Sequence, residues 1–426
     1  MIDRKKGPPI HTDFDLSLKD VHVVPLDNGM QLVELNTGTQ DIIKVELVLR
    51  SGRIHESRIG ASKAAILLLQ EGSEDKDANA LAYEYDYYGA SVKVRSGMEF
   101  SSITLVCLTK FFHKLWPTWL QMVLKPSYKP EEIEKFKSIH SQKLKNQLSK
   151  NEVISYRLIS EVIFGSKHPY GYNTQPEHIT DLKRSDILDY HENEITFDNA
   201  VIVISGRYDG AIRNELIGSL STLAKPSNQS TPKFEMVDTE GQTIYRKTDN
   251  ELQASIKMGC RLFPRSHPDY TAFSFVNTIL GGYFGSRLMN NIREEKGYTY
   301  GIFSMPDCLN NDGFFYISTD VGSSLVQPTI DEILKEIDIL KEKPVEKEEL
   351  DMVKNYLLGQ SLNLIDGPFA TGQLIKSLLI KNMTIESFDT HIERIRNITS
   401  DEVQAMAQKY LDINRFTNVI VGGNKV

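Results

Sequence analysis

Cysteine is scarce in this chain: Cys107, Cys260 and Cys308 are the only three in 426 residues. Their odd number and the lack of any CxxC spacing exclude a disulfide framework and a thiolate metal cage, leaving buried free thiols. Long apolar runs are missing as well. The longest, at 64–69, is far short of the about 18 residues that a membrane span needs. No apolar segment follows the basic start MIDRKK, so a secretory signal is not expected and the chain reads as cytoplasmic, with a periplasmic location left open. There is no excess of cations. A net charge of −8 and a pI near 5.8 argue against a nucleic-acid partner and against an anionic membrane surface, both of which need a clustered basic face.

Several catalytic signatures are also absent. No G-x-S-x-G elbow occurs, and the glycines at 281–285 (GGYFG) are not followed by a P-loop lysine. Neither H-E-x-x-H nor H-x-x-E-H is found among the ten histidines. His191-Glu192-Asn193-Glu194 gives H-x-x-E without its second histidine and is expected to be solvated helix surface.

What is present is an ordinary globular composition, 40% hydrophobic and 25% charged, long enough for two or three units at about 150 residues each. A stretch rich in Pro, Ser, Asn and Gln at 224–241 reads as a linker and divides the chain into 1–223 and 242–426. The two parts echo each other. Residues 131–137 (EEIEKFK) match 348–354 (EELDMVK) at an offset of 217 (348 minus 131), and NAVIVISG at 199–206 matches TNVIVGG at 417–423.

Alternation and β-branched content predict strands at 30–35, 43–50, 101–108, 200–205, 255–260, 298–304, 313–319 and 418–421. Helical periodicity predicts a long amphipathic helix over 130–148 and another carrying Ile330, Ile333, Leu334, Ile337 and Leu340. Strands open and close each half and helices fill its middle. That order predicts an α+β fold of two homologous halves, each a mainly antiparallel sheet with helices on one face, closing as a clamshell.

One stretch is specific. A strand ending in Ser51-Gly52-Arg53, followed by GASKAAILLLQEGS at 60–73, resembles the pitrilysin/insulinase-type (M16) zinc metallopeptidases. In active members this helix carries H-x-x-E-H, where two histidines hold zinc and the glutamate activates water. Here those places fall on Lys63, Ile66 and Leu67, none able to do so. The family's distal glutamate falls close to Leu144, within a stretch from Glu134 to Glu152 that contains no other acidic residue. The resemblance therefore implies a degenerate zinc site with no metal and no cofactor of its own.

The second half retains more. LGGYFGSRLMNNIREEKGYTYGIFS at 280–304 resembles the family's second-half signature and places its arginine and tyrosine on Arg293 and Tyr300. By residue type alone, an arginine near a helix C-terminus and a tyrosine on a strand are also ordinary structural choices. Read through the resemblance, they are donors that act in trans on a peptide carbonyl. The stretch Gly89-Ala90-Ser91 resembles the start of the family's peptide-docking edge strand. The resemblance thus implies a non-catalytic subunit that handles unfolded peptides beside a zinc-bearing, HxxEH-containing homologous partner, with a homodimer possible when isolated. The alternative is an inert peptide-binding or scaffold protein of the same fold.

Overall fold

The structure, a computed structural model, describes residues 15–198, 200–223, 240–249 and 252–422. The linker expected at 224–241 lies outside them except for Glu240 and Gly241. In the first half the strands are β1 (His22–Pro25), β2 (Gln31–Leu35), β3 (Ile42–Leu49), β4 (Ser91–Ser96), β5 (Ser101–Leu108) and β6 (Val201–Gly206). In the second they are β7 (Thr243–Arg246), β8 (Gln253–Leu262), β9 (Ile302–Cys308), β10 (Gly313–Gly322) and β11 (Thr417–Gly422).

The first sheet runs β1-β2-β6-β3-β5-β4 and the second β7-β11-β8-β10-β9. Without β1 the two orders are the same, and each has its one parallel pair in the same place, β2 with β6 and β7 with β11. Helices repeat with them. Pro130–Gln147 corresponds to Lys347–Leu364 at an offset of 217 (347 minus 130), and Asn151–Phe164 to Gly367–Leu379 at 216 (367 minus 151). The α+β architecture of two homologous halves is thus the one observed.

Alternation along the strands explains the layering. On β2 and β6, Leu32, Ile202 and Ile204 face a core shared with first-half helices, whereas Val33, Leu35, Val201 and Val203 belong to a core shared with the second half. The second face of the first sheet is covered by Gly367–Leu379, a helix of the other half, which packs on β2 and β6. Reciprocally, Asn151–Phe164 packs on β8 and β11, burying Ile159 and Ile163 with Phe314 and Val419. The hydroxyls of Ser155 and Ser255 lie 3.0 Å apart at that crossing. Each half thus lends one helix to the other's sheet.

Some details differ from the sequence reading. The short edge strands β1 and β7 were not predicted, because four residues carry too little alternation to register. The strand expected at 298–304 begins only at Ile302 and runs to Cys308. His191 is not solvated surface: it is partly buried, with Nε2 3.0 Å from the Val123 carbonyl oxygen, which ties Arg184–Glu194 to Phe112–Leu124. Trp116 and Trp119 stack inside the first core, and all three cysteines are free and buried.

Candidate functional site

The helix Ala61–Leu67 starts after Gly60 and turns its apolar face into the first core, where Ala64, Ala65 and Ile66 are fully buried. Of the three positions filling the family's motif, Lys63 lines a cavity. Ile66 is 0% exposed inside the core and Leu67 is partly buried beside it. The cavity, of about 340 Å³, is closed on its other sides by Pro130–Gln147, by Asn151–Phe164 and by the residues that follow β4. Leu144, the residue at the distal ligand's place, lines it together with Lys63. The fold thus brings two of these sequence positions together around one space.

That space does not suit zinc. Its lining has Arg53, Lys63, Lys143 and Arg157 as cations and Glu56 as the sole carboxylate. Among the described residues no group of three or more His, Cys, Asp and Glu side chains is placed to hold a metal ion. Although the Lys63 side chain as a whole is exposed, crowding by surrounding protein and then by Lys143 holds its ammonium below the usual lysine range. Burial, with Lys63 and Lys143 adding to it, pushes the His140 imidazole down to about 4, so it is neutral at physiological pH. His140, Lys143 and Arg157 escaped the sequence reading. The signal was the run of Lys, Ser, Gln and Asn after Glu134, in which positions 136, 140, 143, 144 and 147 share one helix face.

Arg293 lies in a π-helical segment, Met289–Glu295, that closes at Gly297 with φ +66°, a conformation glycine adopts without strain. The neighbouring Ser286-Arg287-Leu288 anchors this segment: Arg287 makes a two-pronged ion pair to Glu349 at 2.9 and 2.7 Å, and Leu288 is buried. The Arg293 guanidinium sits 4.7 Å from the Phe284 ring centre and donates to Glu294 at 2.7 Å.

Tyr300 is not on a strand but in a short loop before β9, and it is 98% exposed. Thr299 pins the loop. Its hydroxyl lies 2.7 Å from the Asp320 carbonyl, accepts the Gly301 N–H at 3.2 Å, and stands 3.0 Å from Thr319 Oγ1. The Tyr300 side chain is thus exposed beside a pinned stretch of backbone.

The first-half candidates occupy the corresponding place in the repeat. Gly89, with φ +62°, closes the helix Ala78–Tyr87 as Gly297 closes the π-helical segment. The Gly89 and Ala90 amides bond back to Asp86 and Tyr85, so of Gly89, Ala90 and Ser91 only Ser91 belongs to β4. Among the described residues, strand β4 is an edge, paired with β5 alone. One carbonyl beyond that pairing, that of Val92, already accepts from Gln70 at 2.9 Å. Strand β4 starts two residues after Gly89, whereas β9 starts five residues after Gly297, which leaves Tyr300 in the loop between.

The chain resembles several known proteins. A family profile described as the peptidase M16 inactive domain matches residues 181–357. An uncharacterized zinc protease of Bacillus subtilis is 22% identical over 392 residues, covering 90% of this chain and 93% of its own. A Helicobacter pylori protein described as a non-peptidase homolog is 22% identical over 379 residues, covering 87% and 86%. The crystal structure of a peptidase M16 inactive domain from Pseudomonas fluorescens aligns with a TM-score of 0.87 at 20% identity, over 96% of this chain and 99% of its own.

Proposed function

Since the chain is a homologue of the M16 peptidases that lacks their H-x-x-E-H motif, we propose that it is the non-catalytic subunit of a two-chain peptidase. In this reading a homologous partner with an intact motif carries the zinc, and this chain supplies part of the chamber wall together with Arg293 and Tyr300. The observation that carries the reading is the presentation of Tyr300: on a loop pinned by Thr299 its phenol is 98% exposed and, among the described residues, makes no hydrogen bond. In this reading it donates to a group that arrives from outside. A donor held at the oxygen that gains charge in peptide cleavage contributes about 3 kcal/mol to transition-state stabilisation. Extended, unfolded peptides are the substrates this arrangement serves, and three buried free thiols suit a cytoplasmic setting.

The test is reconstitution. Mixed with its zinc-bearing homologue, the chain is expected to raise cleavage of an unfolded peptide, and Arg293→Ala or Tyr300→Phe to lower kcat by about 100-fold with little change in KM. Unchanged activity in both variants overturns the proposal.

A second reading has its own support. The Arg293 guanidinium is already occupied by Glu294 and Phe284, as in a purely structural arginine. An inert peptide-binding or scaffold protein accounts for that pairing, and it predicts that the mixed activity ignores both substitutions.

A further inference from the structure

The cavity beneath Lys63 holds more cations than counter-charge, although Arg157 feels Glu161 on its own helix and Arg53 donates to the Tyr172 carbonyl. Its one carboxylate, Glu56, is already engaged: one oxygen accepts the Gly60 and Ser62 amides at 3.0 and 3.1 Å, the other the Tyr172 hydroxyl. Among the described residues, Lys63 and Lys143 pair with no carboxylate and crowd one another instead. Arg53 Nε and His140 Nδ1 are buried without a hydrogen-bond partner. Like charges gathered in a recess cost stability unless an anion completes them.

The corresponding cavity of the second half, of about 320 Å³, shows the contrast. Its lining sets one arginine, Arg265, against one carboxylate, Glu386, beside His267 and His391, with Leu374 and Phe388 among its apolar side chains. The surplus of cations is thus a property of the first-half site and not of the fold.

Ser96, at the end of β4, and Gly97 and Met98 after it line the same cavity. Among the described residues, the outer edge of β4 has no strand beside it. An extended peptide that adds to this edge passes the cavity mouth, and about 340 Å³ holds a side chain or a chain end but no folded element.

We infer that the cavity at the former metal position is a receptor for a peptide carboxylate, held by Lys63, Lys143, Arg53 and Arg157 while the peptide backbone lies along β4. The inference rests on the peptide-handling part of the proposed function. It requires neither Arg293, Tyr300 nor a partner chain.

The experiment measures binding of short labelled peptides to the purified full chain by fluorescence anisotropy. Three peptides share one extended sequence: one amidated and uncharged, one amidated with a single central Glu, and one with a free C-terminal carboxylate and no acidic side chain. At least one carboxylate peptide is expected to bind about tenfold tighter than the uncharged one, and which of the two does so identifies the source of the carboxylate. The advantage is expected to vanish in Lys63→Met/Lys143→Met, whose exposed positions leave folding intact, and to shrink with added salt. Equal binding of all three peptides, or a preference that survives the double substitution, overturns the inference. Because binding is read on this chain alone, its failure is distinct from a failure of reconstituted cleavage.

Discussion

Glu46 on β3 and Lys376 on Gly367–Leu379 meet at 2.7 Å across 330 positions of sequence, and this pair ties the borrowed helix to its host sheet. Glu46 is only 4% exposed, and Gln373 and Lys44 complete its shell. Burial alone pushes its carboxyl up, but Lys376 and Lys44 outweigh that and hold it below the ordinary value. Lys376→Met is therefore expected to cost about 3 kcal/mol in urea unfolding at neutral pH, because it leaves a buried charge short of its partner. Glu46→Gln/Lys376→Met is expected to recover part of that loss. In the unaltered chain the pair's contribution is present above pH 4.5 and fades as pH falls through the lowered native value. A single substitution as stable as the original chain contradicts this account.

Restoring the lost motif is expected not to restore the metal. In Lys63→His/Ile66→Glu/Leu67→His the new glutamate replaces a side chain with no exposure, in a core that offers it no partner. The distal position remains Leu144, and the cations around it repel zinc. Elemental analysis is expected to find well under one zinc per chain, with a melting temperature lowered by several degrees. One tightly held zinc per chain is the contrary outcome.

Two histidines set an acid limit. Burial pushes both His140 and His391 down to about 4 from 6.5; Lys63 and Lys143 add to it at His140, and Arg265 adds to it at His391. The unfolded chain takes up these protons first, so stability falls as pH drops from about 6.5 towards 4 and levels off below. His391→Gln, which keeps a hydrogen-bonding group opposite Thr271, is expected to flatten that slope in chemical unfolding followed across the pH range. An unaltered slope points to other groups.

Much of the fold was legible because its strands and long helices carry strong periodicity. The run at 131–137 matched its repeat so closely that both helices begin at the corresponding residue. What periodicity cannot state is the neighbour. The apolar face of Asn151–Phe164 looks the same whether it covers its own sheet or the other one, so the exchange of helices was invisible. Tyr300 was read as strand because Tyr298-Thr299-Tyr300 has β propensity, yet the hydroxyl of Thr299 closes a loop there. The basic cavity was hidden for a different reason: its charges come from four separate elements and meet only in the folded chain.

The reciprocal loan of helices has a bearing on origin. One repeat standing alone would have a bare sheet face and an unhoused helix, and two identical copies resolve both defects by trading that helix about a twofold axis. The present chain makes the same trade within one polypeptide. Joined so, the halves can differ in charge, one recess basic and the other balanced between Arg265 and Glu386, without losing the mutual embrace that keeps both folded.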